Sequence, residues 1–386
     1  MSALFVKSSS IYFWYFGILG LIVPFLAVYL DDKSFTSLQI GEILAIFTAT
    51  KIVGPTLWAV LADKTGQQLS IIRLGSLLAC VFFSFLFFVD SYWPITFSLA
   101  LFSLFWTAIL PQLEVMTLTS IRRSAKIYGR IRLWGSVGFI AVAIIAGEVI
   151  EQLSPQSFTY MGMAILLLLY FSTLLIKQPF MHSAKLVAES PIMEKFFQLN
   201  FVIFFIAGLL LQISFGPYNG FFALFLRDLN YPGYAVGLLI SVGVVAEILV
   251  FIYAGKLFQA FSVKTLLLFS IAITALRWFV VAHYGDSVWL LGLTQITHAA
   301  GFGIYHNASM QFINQHFNAN QQNRGQAVYI AGVYGIGGAL GAYITGMLWL
   351  DGSGAENAFI FAGVAALVGG ISMLVMKERI YTKNTT

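Results

Sequence analysis

Apolar runs of about 20 residues or more recur along this chain, and most of its charges are gathered into the short gaps between them. A run of that length is what a helix needs to cross a bilayer, so this one feature fixes the class of fold. Charged residues make up 10% of the 386 and hydrophobic residues 59%, against about 25% charged in an ordinary soluble domain. The chain is read as an all-α membrane protein. Twelve transmembrane helices are predicted, in the first half at roughly Ser10 to Leu30, Leu38 to Ala62, Leu69 to Val89, Pro94 to Leu118, Tyr128 to Ile150 and Phe158 to Ile176. In the second half they fall at roughly Phe196 to Leu226, Ala235 to Phe258, Thr265 to Ala282, Val288 to Ile313, Ala327 to Leu350 and Ala358 to Met376.

The net charge of +5 is no mark of nucleic-acid binding, because the basic residues sort by side of the membrane. Alternate gaps hold Lys7, Lys64, Arg122, Arg123, Lys126, Arg130, Lys177, Lys185, Lys195, Lys256, Lys264, Arg324, Lys377, Arg379 and Lys383. The opposite gaps hold Lys33 and Arg227 with most of the acids, among them Asp31, Asp32, Asp90, Glu151, Asp228 and Asp351. By the positive-inside rule both termini are expected to be cytoplasmic. The first run has no small-residue cleavage site and is expected to be a retained helix. Cys80 is the only cysteine, so no disulfide framework is possible.

The most polar internal stretch, residues 177–195, is expected to form a cytoplasmic loop between an N-terminal bundle of six helices (1–176) and a C-terminal one (196–386). Both halves start on the same side, so any repeat is parallel, with its axis along the membrane normal. A short internal match supports this. Gln39-Ile40-Gly41-Glu42-Ile43-Leu44 opens the second span and Ala235-Val236-Gly237-Leu238-Leu239 the eighth, and ten residues beyond each glycine stand Lys51 and Glu247. At about 1.5 Å per residue these two lie at matching depth near mid-bilayer, where they can pair with each other or with a charged substrate.

Lys51, Glu114, Glu247, Arg277, His298 and His306 all fall inside apolar runs. A charge at that depth costs roughly 2.5–3.5 kcal/mol on insertion scales, so such groups face a watery cavity or one another and mark a solute or proton path; the alternative is a structural polar contact between helices. Glu114 precedes Arg122 by eight residues and Arg132 follows Arg123 by nine, so on antiparallel neighbours Glu114 and Arg132 reach similar depth and can pair. Arg130 and Arg132 at a helix entrance can also simply snorkel. The sequence contains no Walker loop, HExxH, paired-cysteine metal site or nucleophile elbow, which leaves ATP-driven transport and hydrolysis unsupported and implies no cofactor.

Leu61-Ala62-Asp63-Lys64-Thr65-Gly66, between spans two and three, resembles the loop signature of the major facilitator superfamily. That resemblance implies a conformational-gating role for Asp63, Lys64 and Gly66, although Ala59 replaces the signature's glycine and Gln67-Gln68 its basic pair. The fifth span, Tyr128-Gly129-Arg130-Ile131-Arg132-Leu133-Trp134-Gly135-Ser136-Val137-Gly138-Phe139, resembles proton-coupled permeases of the lactose type and, more closely, of the phenylpropionate type. In the lactose type the second arginine of this run and an acid eighteen residues upstream bind the sugar, which implies substrate-binding roles here for Arg132 and Glu114. Val244-Val245-Ala246-Glu247, Leu276-Arg277-Trp278 and Thr294 through His298 to Asn307 resemble the phenylpropionate-type pattern and imply a proton-coupling set of Glu247, Arg277, His298 and His306. Gly301 stands where the lactose type has an acid, so the proton carrier is left between Glu247, the first choice, and His298.

The expected protein is thus a secondary transporter of the major facilitator superfamily fold, with two six-helix bundles in a bacterial inner membrane, and not an enzyme. Its partners are a small organic solute, protons and lipid, with no nucleic acid, and it is expected to work as a monomer. Lys51 beside a cavity suits a carboxylate, giving an aromatic or other organic acid as solute; Glu114 and Arg132 equally suit a sugar or nucleoside. A membrane sensor that no longer transports is the alternative from another class.

Overall fold

The computed structural model describes residues 2–121, 124–177 and 191–377. Arg122, Arg123, most of the expected central loop and the basic residues Arg379 and Lys383 lie outside the described residues. Among the described residues eleven helices are long and apolar enough to cross a membrane: α1 (Leu4–Asp32), α2 (Ser37–Thr65), α3 (Gln68–Phe87), α4 (Tyr92–Ser120), α5 (Lys126–Gln152), α6 (Ser157–Leu174), α7 (Leu199–Asp228), α8 (Gly233–Tyr253, running on as helix to Ala260), α9 (Val263–His283), α11 (Gln322–Gly352) and α12 (Ala355–Leu374). The remaining expected span, α10, is a helical run over 288–316. It is the least apolar of the twelve because Gln295, His298, His306, Asn307, Gln311, Asn314, Gln315 and His316 lie along it. Its polarity is a feature of the site it builds.

Local sequence sets the helix ends. Thr36 caps α2 through a reciprocal capping box with Gln39, which satisfies donors that the first helical turn leaves free. At the other end Gly66 takes a left-handed conformation (φ 65°) and its N–H bonds to the Ala62 carbonyl, which explains the glycine in the Asp63-Lys64-Thr65-Gly66 turn. Ser262 caps α9.

The two halves repeat each other in detail. Arg73 near the start of α3 donates to the Thr173, Leu174 and Ile176 carbonyls at the end of α6. Lys264 near the start of α9 donates to the Leu374 and Met376 carbonyls at the end of α12. Each cation neutralises the carbonyl end of a helix dipole, and the elements involved, α3 with α6 and α9 with α12, correspond under the parallel repeat.

Between the halves α1 meets α7, α2 packs on α11 and α5 packs on α8. The last two contacts rest on glycine. A Cβ on Gly41 of α2 would lie 2.7 Å from the Gly346 Cα of α11, and Gly147 of α5 and Gly233 of α8 abut each other's backbone as closely. Hydrogen bonds that join described residues across the halves lie at the face opposite the termini: Arg227 to Asp31, the Gly233 N–H to Glu151, and Ser37 to Asp351. At that face Leu350 (φ 47°) and Asp351 (φ 50°) are both left-handed, a conformation that costs a residue with a Cβ roughly 1–2 kcal/mol. Toward the other face the first segment of α11, Gln322–Tyr329, turns to α10, packing on Tyr305–His316. The molecule is closed where its termini are not.

Candidate functional site

Five side chains in the C-terminal half form one hydrogen-bonded chain. Arg277 on α9 is 2% exposed, too deep to be solvated by bulk water. Its guanidinium donates to His298 Nδ1 of α10 at 2.8 Å and to Gln295 Oε1 at 3.4 Å. The opposite ring nitrogen, His298 Nε2, lies 2.8 Å from Glu247 Oε1 of α8. A guanidinium has only donors, so Nδ1 must accept, and the ring proton sits on Nε2 and is donated to Glu247. The imidazole thereby transmits the attraction between a buried cation and a carboxylate that do not touch. Tyr218 on α7 completes the set, donating to Gln295 Oε1 at 2.8 Å with its ring 4.2 Å below the guanidinium, and Trp278 lies 4.3 Å from it. The Glu247 and His298 side chains keep 15% and 12% exposure, which leaves a proton a way in that Arg277 lacks.

Three stretches of π-helix shape this region: Pro217–Phe221 in α7, Ala300–Ile304 in α10 and Ile330–Gly337 in α11. Each puts one aromatic ring into the site. Tyr218 comes from the first. Phe302 comes from the second and stacks between His298 (5.7 Å) and His306 (6.5 Å). Tyr334 comes from the third, its hydroxyl 3.2 Å from His306 Nδ1. His306 is therefore joined to the chain through a ring and makes no hydrogen bond with its other members. π-Helical turns are rare and cluster at functional sites.

The N-terminal half carries a looser set. Lys51 on α2 lies over the rings of Phe47 (4.8 Å) and Trp106 (5.9 Å), and no carboxylate of a described residue pairs with it. Trp106 Nε1 is buried with no hydrogen-bond partner among the described residues. Glu114 on α4 accepts from the Tyr128 hydroxyl at 3.1 Å. Arg132 on α5 stacks on Phe16 at 3.8 Å and lies 6.0 Å from Tyr12. Glu114 and Arg132 are within electrostatic reach of each other but make no direct ion pair, because Tyr128 and Phe16 take the two groups first. Lys51 and Glu247 are likewise unpaired, each held within its own half. The two halves do adjoin beside Lys51: its neighbour Ile52 packs on Gly335, next to Tyr334. Asp63, Lys64 and Gly66 lie exposed at the terminus-bearing face, and Asp63 forms no ion pair with a described residue.

A family model described as the MFS_1 like family matches residues 5–361. The chain belongs to that family. Family and relatives are transporters and not enzymes. The probable 3-phenylpropionic acid transporter of Escherichia coli (strain K12) is 29% identical over 346 residues, spanning 88% of this chain and 89% of the relative. The maltose permease of Geobacillus stearothermophilus is 24% identical over 377 residues, spanning 95% and 93%. Among solved structures the nucleoside transporter NupG superposes with a TM-score of 0.81 at 18% identity, covering 97% of this chain and 98% of that one. That likeness shows the fold, two six-helix bundles; the family match makes the chain an MFS transporter and a multi-pass membrane protein.

Gln295, Tyr218, Phe302, Tyr334 and Trp106 belong to these sets beyond the residues expected from sequence. Gln295 was within reach, since it stands one turn before His298 on the same apolar run. The Tyr218, Phe302 and Tyr334 rings depend on π-turns, whose only trace in the sequence is local clustering of glycine with Pro217.

Removing one member of a buried charge-coupled set leaves the other charge uncompensated and costs about 3–5 kcal/mol. Arg277→Met is expected to lower the thermal unfolding midpoint of the purified protein, and adding Glu247→Gln to recover part of the loss. A double variant no more stable than Arg277→Met would show that the two charges are not coupled through His298.

Proposed function

We propose that this MFS transporter carries a small aromatic carboxylate together with protons, by alternating access between its two halves. The observation that carries the substrate class is Lys51. Its ammonium sits among aromatic rings at the α2–α11 boundary with no carboxylate of a described residue to neutralise it. A cation so placed costs stability unless something else compensates it, and a substrate carboxylate whose ring stacks on the same aromatic walls supplies that compensation. The Trp106 indole N–H, buried with no hydrogen-bond partner among the described residues, is a second donor for the same anion. The name of the Escherichia coli relative agrees with this class. Glu114 and Arg132, not consumed by each other, support a second reading as a sugar or nucleoside site, in line with the names of the maltose and nucleoside transporters.

Glu247 is assigned as the proton carrier. While ionised it holds α8 to α10 through His298 and, beyond it, Arg277. Protonation removes the charge that His298 transmits and weakens that clamp, so the relative stability of the two conformations depends on whether a proton is bound. His298 hands on the interaction and Gln295 with Tyr218 orients the guanidinium. His306, held by Tyr334, is placed on the path between this chain and the solute. Asp63, Lys64 and Gly66 are assigned to gating at the terminus-bearing face, which the distribution of basic residues makes cytoplasmic, so the closed face is the outer one. The unit of transport is the monomer, and the membrane is the bacterial inner membrane.

In vesicles, adding an aryl-propionate to the parent protein is expected to alkalinise the external medium, whereas maltose and uridine do not. Glu247→Gln is expected to keep downhill exchange and to lose uphill accumulation. Undiminished accumulation by Glu247→Gln would remove the carrier assignment, and alkalinisation by maltose or uridine alone would favour the second reading.

Lys51→Ala is expected to weaken uptake of the aryl-propionate by tenfold or more, about the 1.4 kcal/mol that a tenfold change represents, and to leave uptake of its uncharged amide unchanged. Equal uptake of the acid by variant and parent would exclude Lys51 as the carboxylate's partner.

A further inference from the structure

The closed face is held by a pair of acids acting as helix caps in trans. In α2, Thr36 accepts from the Gln39 N–H and leaves the N–H of Ser37, the first helical residue, without a partner in its own half. Asp351, at the end of α11 in the other half, takes it: Oδ1 accepts from the Ser37 N–H at 2.9 Å and from the Ser37 hydroxyl at 2.8 Å, and the Asp351 N–H returns a bond to that hydroxyl at 2.9 Å. In α8 the residue before the helix is Pro232, which provides no side-chain cap, and the first helical residue is Gly233. Glu151, in the last turn of α5, takes the Gly233 N–H from the other half at 2.8 Å. Helix α2 corresponds to α8 and α5 to α11 under the parallel repeat. The same device therefore occurs twice: an acid at the end of the partner helix satisfies the first N–H of a helix, a donor that the helix's own half leaves open even where, as at Thr36, it caps the next turn.

The third pair of the repeat, α1 with α7, contributes the ion pair of Arg227 with Asp31 at 2.6 Å. That contact is between exposed side chains and is correspondingly weak. The caps differ in kind, because each places a carboxylate on the positive end of a helix dipole and fills an otherwise open backbone donor. Asp351 makes its contacts from a left-handed backbone that the adjoining Leu350 shares, a conformation kept only where surrounding contacts hold it.

We propose that Asp351 and Glu151 form a symmetric latch that biases the transporter toward the conformation closed at this face, and that opening requires both helix N-termini to give up their caps together. Opening also lets Leu350 and Asp351 leave the left-handed region, so the latch and the strain oppose each other and set the balance between the two states. This rests on the fold and on neither the substrate nor the proton assignment.

The test is the distance between spin labels on Ser91→Cys and Asp286→Cys, exposed positions at this face in opposite halves, in a Cys80→Ala background and measured by double electron–electron resonance. The parent is expected to show one predominant short distance. Asp351→Ala with Glu151→Ala is expected to raise a longer-distance population several-fold, and each single substitution to raise it less. An unchanged distribution in the folded, monodisperse double variant would overturn the proposal. Should the alanine pair fail to fold, Asp351→Asn with Glu151→Gln keeps the shape and weakens the acceptors, and is judged by the same criterion.

Discussion

Hydrocarbon offers no water to a polar group, and everything distinctive about this protein follows from that. A charge placed at mid-bilayer must find a partner, face a wet space, or wait for a ligand. The chain uses all three solutions. Arg277 finds its partner at one remove, through an imidazole whose two nitrogens face a guanidinium and a carboxylate. Glu247 and His298 keep a fraction of exposure. Lys51 has aromatic faces and no counter-ion among the described residues. The proposed chemistry is a consequence of how these solutions differ, since a chain of fully paired charges would have nothing left to give a solute or a proton.

The same constraint explains the architecture around the site. Backbone groups at helix ends are open donors and acceptors, and the protein fills them in symmetric fashion. At the terminus-bearing face Arg73 and Lys264 close the carbonyl ends of α6 and α12 within each half. At the opposite face Asp351 and Glu151 close amide ends across the halves. One kind of cap joins helices within a bundle and the other ties the two bundles together. The glycine contacts Gly41 with Gly346 and Gly147 with Gly233 let the backbones come close enough for the cross-caps to reach.

Much of this was legible in the sequence. Helix count, the two-bundle fold and the family follow from apolar run length, from the sorting of basic residues and from the Asp63 and Arg132 motifs. The resemblance to phenylpropionate-type permeases groups Glu247, Arg277, His298 and His306, and hydrogen bonds through His298 link the first three, while His306 bonds to Tyr334. Matching depth, and for Glu114 and Arg132 the lactose-type resemblance, allow the Glu114–Arg132 and Lys51–Glu247 pairs, but depth says nothing of azimuth: in this conformation Tyr128 and Phe16 stand closer to the first pair, and His298 and Phe47 to the second. Arg73 hid inside an apolar run because its partners are backbone carbonyls that no side-chain pattern reports. Tyr218, Phe302 and Tyr334 reach the site only because three helices widen into π-turns, which shift every following residue around the helix and escape any reading at 3.6 residues per turn.

The most direct test of the central claim, that an uncompensated ammonium in one half receives the solute's anion, is a structure of the protein with an aromatic carboxylate bound. The carboxylate is predicted to lie within hydrogen-bonding distance of Lys51 Nζ, in the space between the halves and next to Trp106. A carboxylate seated instead on Arg132 or Arg277, with Lys51 still resting on its aromatic rings, would contradict it.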